Sequence, residues 1–177
     1  MTMDAEVKSI KTLKDGKYES NNSNGIICVW NYSQGLKDGK QINCFANGKL
    51  QSETSYKNGL LHGRSIKFRM NGNPIHTTNF KNGQRHGTQL YFGHNGRIVE
   101  EQQYINGHLN GSENKYYPNG RLFLSTTWLD GLKHGTQKWY SNNKKNNCHR
   151  ENEFKNGLIV VNLIPEYEED DLEGVTE

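Results

Sequence analysis

Residues 80–111 read FKNGQRHGTQLYFGHNGRIVEEQQYINGHLNG, and the fold follows from how that stretch recurs along the chain. An aromatic residue opens it at Phe80, glycines follow at Gly83 and Gly87, an Asn-Gly pair stands at Asn95-Gly96, and the same order restarts at Tyr104. Outward from it lie YSQGLKDG from Tyr32, YKNGLLHG from Tyr56 and WLDGLKHG from Trp128, so the opening aromatic recurs every 24 residues from Tyr32 to Trp128. A sixth copy, FKNG from Phe154, comes 26 residues after Trp128, which places a two-residue insertion near 142–147. The first copy is worn: LKDGK at 13–17 matches LKDGK at 36–40, and Gly25 matches Gly48. A fixed period of this length is the mark of a repeat architecture.

The Asn-Gly pairs Asn47-Gly48, Asn71-Gly72, Asn95-Gly96 and Asn119-Gly120 keep the same register. Asn-Gly or Asp-Gly between strand-like residues is the strongest short-range hairpin signal, and it occurs twice per unit. The segments between, such as RSIKFR (64–69) and IHTTNF (75–80), are too short for helices and rich in strand formers. The repeat therefore predicts strand, turn, strand and a G-x-x-x-G connection. Gly35, Gly39, Gly48, Gly59, Gly63, Gly72, Gly83, Gly87, Gly96, Gly107, Gly111, Gly120, Gly131 and Gly135 are read as structural turn glycines. The predicted fold is all-β: an elongated single-layer antiparallel β-meander of about six 24-residue hairpin units. About twelve strands at ~4.8 Å each would run about 55 Å. Whether the sheet curls or closes is left open. The expected organisation is an N-terminal cap segment over 1–12, the array over 13–161 and an acidic tail over 162–177.

Composition agrees. Hydrophobic residues are 32%, too few for a thick two-layer core, while aromatics reach 10% and Gly and Asn supply turns. The net charge of +3 conceals a division, because Glu166 to Glu177 holds seven acids and no base, leaving the remainder at +10. Cys28, Cys44 and Cys148 are odd in number and widely spaced, which suits reduced thiols in an intracellular protein better than disulfides or a zinc site. No signal peptide and no apolar run of membrane-spanning length is visible, so the expected location is cytoplasmic.

Alternation sorts side chains to two faces. Ile42, Ile66, Leu90, Asn114 and Lys138, with Cys44, Phe68, Phe92, Tyr116 and Tyr140 beside them, form one set. In the second strand Leu50, Pro74, Ile98 and Leu122 are expected to share a face with Tyr56, Phe80, Tyr104 and Trp128, the whole forming an apolar spine. The opposite column, Asn43, Lys67, Tyr91, Lys115 and Trp139, alternates cations with rings on a face expected to be solvated. Lys67, Tyr91, Lys115 and Trp139 are the candidate binding residues, either as ordinary cross-strand packing or as a surface that neutralises and stacks on an anionic partner. His62, His86 and His134 share one repeat position, where Asp38 and Asn110 also stand; units ~10 Å apart cannot offer one metal three ligands, so these read as turn residues. No nucleophile, base and acid fall into a recognisable constellation, and no phosphate-binding loop, cofactor or metal motif appears, so no catalytic residue is assigned.

Units such as YKNGLLHGRSIKFRMNG resemble MORN repeats, and HGTQLYFGHNGRIVEEQQYINGHLNG (86–111) and ENKYYPNGRL (113–122) are most similar to the variant repeats of the YwqK-type antitoxin proteins. The resemblance, over about 13–161, implies an elongated hairpin array used for association: attachment to enzymes, dimerisation, scaffolding or phospholipid binding. With no attached enzyme in view, the expected function is a non-enzymatic interaction or scaffold module with a protein partner or a second copy. The alternatives are binding of phospholipid headgroups or nucleic acid through the basic, aromatic face, and an antitoxin-like partner that neutralises a toxin.

Overall fold

A computed structural model describes residues 15–21, 27–143 and 145–163. The segment 1–12, the match at Gly25 and the acidic run 164–177 lie outside the described residues. The chain forms β1 (Gly16–Asn21), β2 (Ile27–Ser33), β3 (Leu36–Lys37), β4 (Gly39–Cys44), β5 (Leu50–Lys57), β6 (Leu60–Phe68), β7 (Pro74–Lys81), β8 (Gln84–Arg85), β9 (Gly87–Phe92), β10 (Ile98–Ile105), β11 (His108–Tyr116), β12 (Leu122–Leu129), β13 (Leu132–Tyr140), β14 (Cys148–Lys155) and β15 (Leu158–Leu163). All fifteen belong to one antiparallel sheet in which each strand pairs with its sequence neighbours. The short β3 and β8 are the first pieces of strands interrupted at Asp38 and His86, which resume as β4 and β9. Among the described residues the sheet is open, with β1 and β15 each paired on one side only.

Two turn types alternate along the array. The first joins Lys57 to Leu60, Lys81 to Gln84 and Ile105 to His108 through Asn58-Gly59, Asn82-Gly83 and Asn106-Gly107, with both central residues at positive φ (50° and 79° at Asn58 and Gly59). That is the signature of a type I′ hairpin, whose twist matches the strands it joins. The second spans Phe45 to Lys49 and its equivalents: the Gly48 N–H donates to the Phe45 carbonyl at 2.9 Å, only the glycine has positive φ, and the Asn47 side chain accepts from the Lys49 N–H at 3.0 Å. This is a type I turn closed by a glycine bulge.

All fourteen singled-out glycines have positive φ, but they divide into two groups. Gly39, Gly63, Gly87, Gly111 and Gly135 occupy bends at the start of, or within, strands rather than reverse turns. Each lies directly across from the ring of the next strand, Tyr56, Phe80, Tyr104, Trp128 and Phe154 respectively.

The apolar spine is not continuous. In five hairpins the second strand carries one extra residue, whereas β1 and β2 pair in continuous register. Asn43 pairs with Ser52 and Cys44 with Leu50, leaving Gln51 unmatched. Ile75, Val99, Phe123 and His149 are the equivalents. Such a bulge reverses the side-chain alternation beyond it, bends the strand and steepens its twist. Leu50, Pro74, Ile98 and Leu122 therefore stay with Cys44, Phe68, Phe92 and Tyr116, while Tyr56, Phe80, Tyr104 and Trp128 lie on the other face, called here the ring face. The same register puts Lys67, Tyr91, Lys115 and Trp139 on the ring face too, beside the rings rather than opposite them.

Little of the apolar surface is fully enclosed. Among the described residues only Tyr104 and Phe154 are buried apolar side chains, whereas eight polar ones are buried: Thr77 on the opposite face, and Gln41, Thr78, Gln89, Glu113, Thr126, Gln137 and Asn152 on the ring face. Those of the ring face form a row across the middle of the strands, flanked by the aromatic column on one side and the Lys67–Trp139 row on the other. Gln137 Nε2 donates to Thr126 Oγ1 at 3.0 Å, the most enclosed of these contacts. In a single-layer sheet the buried layer is thus a polar seam, only partly hydrogen-bonded: Gln41 Oε1, Gln89 Oε1 and Asn152 Oδ1 are buried without a partner among the described residues.

Candidate functional site

The ring face gathers the polar chemistry of the array. Register sets one row across eight strands in the order Lys67, His76, Tyr91, Glu100, Lys115, Leu124, Trp139, Arg150, each residue paired with the next. All four candidate binding residues stand in this row. Lys67 is exposed and the other three are half-buried. The His76 and Tyr91 rings are tilted at 48° with centroids 6.1 Å apart, and the Arg150 guanidinium sits 4.8 Å from the Trp139 ring centroid.

Beside this row, one chain of contacts crosses three units. The Arg85 guanidinium lies 5.2 Å from the Tyr104 ring centroid, and its Nη1 donates to the Tyr104 hydroxyl at 3.1 Å. That hydroxyl donates to Gln102 Oε1 at 2.9 Å. Gln102 Nε2 donates to Glu100 Oε1 at 2.8 Å and Glu113 Oε1 at 2.9 Å. Trp128 Nε1 donates to Glu113 Oε2 at 3.0 Å, and Lys115 Nζ stands 3.6 Å and 3.8 Å from the two carboxylates.

The two glutamates are driven apart electrically. Burial, together with the neighbouring Glu113 carboxylate, raises the Glu100 carboxyl above its ordinary value. Burial also pushes Glu113 upward, but the hydrogen bonds and the Lys115 charge directed at it prevail and hold it below the usual range. His76 is lowered by burial and by the Lys67 and Arg85 charges, so it favours the neutral ring; Tyr91 is raised, chiefly by burial. The arrangement fixes charge and shape, and no nucleophile is held against a base.

Cations fall differently on the two faces. On the face opposite the rings, Lys17, Lys40 and Lys138 pair with Glu19, Glu53 and Glu151, the last two at 2.8 Å and 3.2 Å. On the ring face only Lys115 has carboxylate partners among the described residues. Lys37, Arg85, Lys133 and Arg150 lie instead 4.8–5.2 Å from the centroids of Tyr56, Tyr104, Phe154 and Trp139. Such cation–π placement leaves a cation's charge uncancelled.

The histidine position links neighbouring units. His62 Nδ1 is 3.2 Å from Asn82 Oδ1, and His134 Nδ1 accepts from the Asn156 N–H at 3.5 Å. At the same place Asp38 accepts from the Asn58 N–H at 3.0 Å and Asn110 donates to Asp130 at 2.9 Å. Each of these contacts reaches the type I′ turn of the following unit. Cys28, Cys44 and Cys148 are free thiols.

Two stretches of this geometry match a known family. Residues 37–58 and 85–106 match the family described as MORN repeat variant. Each match runs from one type I′ turn to the next and encloses an Asn-Gly hairpin; the two begin 48 residues apart, which is two units. No curated protein matches the chain. Both MORN-variant stretches carry a cation at the start and an amide in the polar row (Lys37 and Gln41, Arg85 and Gln89), as does the unmatched unit with Lys133 and Gln137, whereas the unit between the two matches carries Leu61 and Ser65. His76, Glu100, Glu113 and Arg150 escaped the sequence reading; His76, Glu100 and Arg150 belong to second strands, whose face depends on a bulge that leaves the 24-residue period unchanged, and Glu113, on first strand β11, reads as a solvent-facing carboxylate until its partners are known.

Proposed function

We propose that this chain is a non-enzymatic association module that joins a second copy of itself through its C-terminal edge strand. MORN repeats are generally associated with protein- and membrane-interaction modules. The observation that carries the narrower reading is β15, where Leu158, Ile159, Val160 and Val161 are 73%, 52%, 52% and 38% exposed along an unpaired strand edge. Natural sheets guard such edges with Lys, Pro or short strands, and LIVVNL carries no charge over its six residues. Antiparallel pairing of two β15 strands would satisfy both rows of free backbone groups and run the two sheets into one. Light scattering across a dilution series tests this. The full chain is expected to pass from 20.3 kDa to twice that mass as concentration rises, and Val160→Lys to stay at the lower mass with unchanged circular dichroism. A monomer throughout the high micromolar range sinks the reading.

The uncancelled ring-face cations favour a second reading, attachment to an anionic surface. Vesicles containing phosphatidylserine should retain the chain at low salt and release it steeply as salt rises. Retention that ignores salt would count against it. The likeness of 86–111 to antitoxin repeats suggests a toxin as one protein partner, and co-purification of a toxic protein from native cells is the corresponding test.

A further inference from the structure

We infer that the ring-face row is a groove for an extended acidic peptide, and that its resident occupant is the chain's own segment 164–177. The inference does not depend on edge pairing through β15. Three independent observations meet here.

The first is charge. On the ring face six cations, Lys37, Lys67, Arg85, Lys115, Lys133 and Arg150, stand with two carboxylates, Glu100 and Glu113, and among the described residues only Lys115 is paired; the opposite face pairs Lys17, Lys40 and Lys138 with glutamates and leaves Lys57, Arg64, Lys81 and Lys155 unpaired. Residues 166–177 contribute seven carboxylates and no cation. The second is position. Leu163, the last residue of β15, pairs with Glu151, the immediate neighbour of Arg150. The acidic run therefore begins beside the Trp139–Arg150 end of the row. The third is length. From Arg150 on β14 back to Lys67 on β6 is seven strand steps along the sheet, about 34 Å at ~4.8 Å each. Fourteen extended residues span about 46 Å at ~3.3 Å each, enough to pass Trp139 and Lys115 and reach Lys67.

An extended chain crossing the strands would lay carboxylates against guanidinium and ammonium groups already held over rings. Tethering supplies an effective concentration in the millimolar range, so modest individual contacts suffice. An acidic segment of another protein would have to displace this one, which makes the tail a built-in competitor for the same face.

The experiment uses the full chain and a full-length variant in which Glu166, Glu168, Glu169 and Glu173 become Gln and Asp170 and Asp171 become Asn. A limiting amine-acylating reagent is applied at low salt, and modification is read lysine by lysine by mass spectrometry. Lys67 and Lys115 are expected to react several-fold more slowly in the native chain than in the variant, with Lys40 and Lys138 on the opposite face unchanged. High salt should abolish the difference. Equal rates at the ring-face lysines overturn the inference, as does protection spread evenly over both faces. A carbodiimide crosslink of isotopically mixed chains separates the two sources of the segment. Tail-to-Lys67 or tail-to-Lys115 links within one chain support it; links found only between chains overturn it. Repeating the acylation on Val160→Lys, where edge pairing is blocked, keeps its failure distinct from that of the dimer.

Discussion

Replacing Gly111 by alanine tests the in-strand glycine bends, because the structure separates two contributions there. Gly111 has φ of 105°, so an alanine is held in the left-handed half of backbone space, at about 1–2 kcal/mol. A Cβ built at Gly111 would also lie 2.1 Å from Gln103 Oε1, which accepts the Ser112 N–H at 3.2 Å. Gln103 is flexible and would swing away, losing a hydrogen bond of about 0.5–1.5 kcal/mol. The sum is about 1.5–3.5 kcal/mol. For a chain of this size ~1 kcal/mol moves the melting temperature ~2–4 °C, so the midpoint should fall about 3–14 °C. Gly135 occupies the same repeat position with φ of 80°, but its added Cβ would meet only Thr127, at 3.6 Å, an ordinary contact. Gly135→Ala is left with the backbone contribution alone, a fall of about 3–6 °C. Differential scanning calorimetry on both variants decides. Two midpoints matching the parent would refute the bends, and two equal falls would refute the part assigned to Gln103.

Trp128→Phe keeps a ring across from Gly111 but removes the N–H that serves Glu113, which is 7% exposed; a loss of about 1–3 kcal/mol in chemical denaturation is expected, partly recovered by adding Glu113→Gln. Glu100→Gln should stabilise the chain at neutral pH. Burial raises the folded-state pKa of Glu100, so its ionised form opposes folding above that value, and the gain should vanish in melting curves recorded as pH falls through the raised pKa, where the parent's own carboxyl is protonated. Glu113, with its lowered pKa, contributes stability that is lost only further into acid, and Glu113→Gln should flatten that part of the profile. Thr126→Val keeps the shape of the most enclosed side chain but strips Gln137 of its acceptor, at about 1–3 kcal/mol by urea unfolding.

The repeat, the strand count to within one hairpin and the glycines were legible because turn chemistry is local: Asn58-Gly59 needs only its own backbone to declare a type I′ turn. The faces were only half legible. Through Gln51, Ile75, Val99, Phe123 and His149 the second strands read as simple alternation, and nothing in the spacing says that one residue drops out of register. The consecutive apolar pairs Pro74-Ile75, Ile98-Val99 and Leu122-Phe123 were the available sign, since alternation would send one member of each pair to the wrong side. The polar seam was hidden for a different reason. Gln41, Gln89, Glu113 and Gln137 recur at unit spacing, but amides and carboxylates read as solvent-facing until rings and cross-strand partners are known to close over them. Lys67, Tyr91, Lys115 and Trp139 stand in one row because they share one first-strand repeat position, although on the ring face rather than opposite it.

The two rims of the sheet are tied in different ways. At the type I′ rim the Gly59, Gly83, Gly107, Gly131 and Gly157 N–H groups each donate at 2.8 Å to a carbonyl of the preceding unit, at Lys37, Leu61, Arg85, Leu109 and Lys133. At the Asn-Gly rim the links are made by side chains, such as Arg69 to the Phe92 carbonyl and Arg121 to the Asn142 carbonyl. A backbone rail has a fixed gauge, whereas long side chains can follow a loop that grows. The extra residues near 142–147 fall at the side-chain rim, and Gly157 still finds Lys133. Lengthening this protein is therefore asymmetric: grafted residues belong on one margin, and growth on the other proceeds only by whole units.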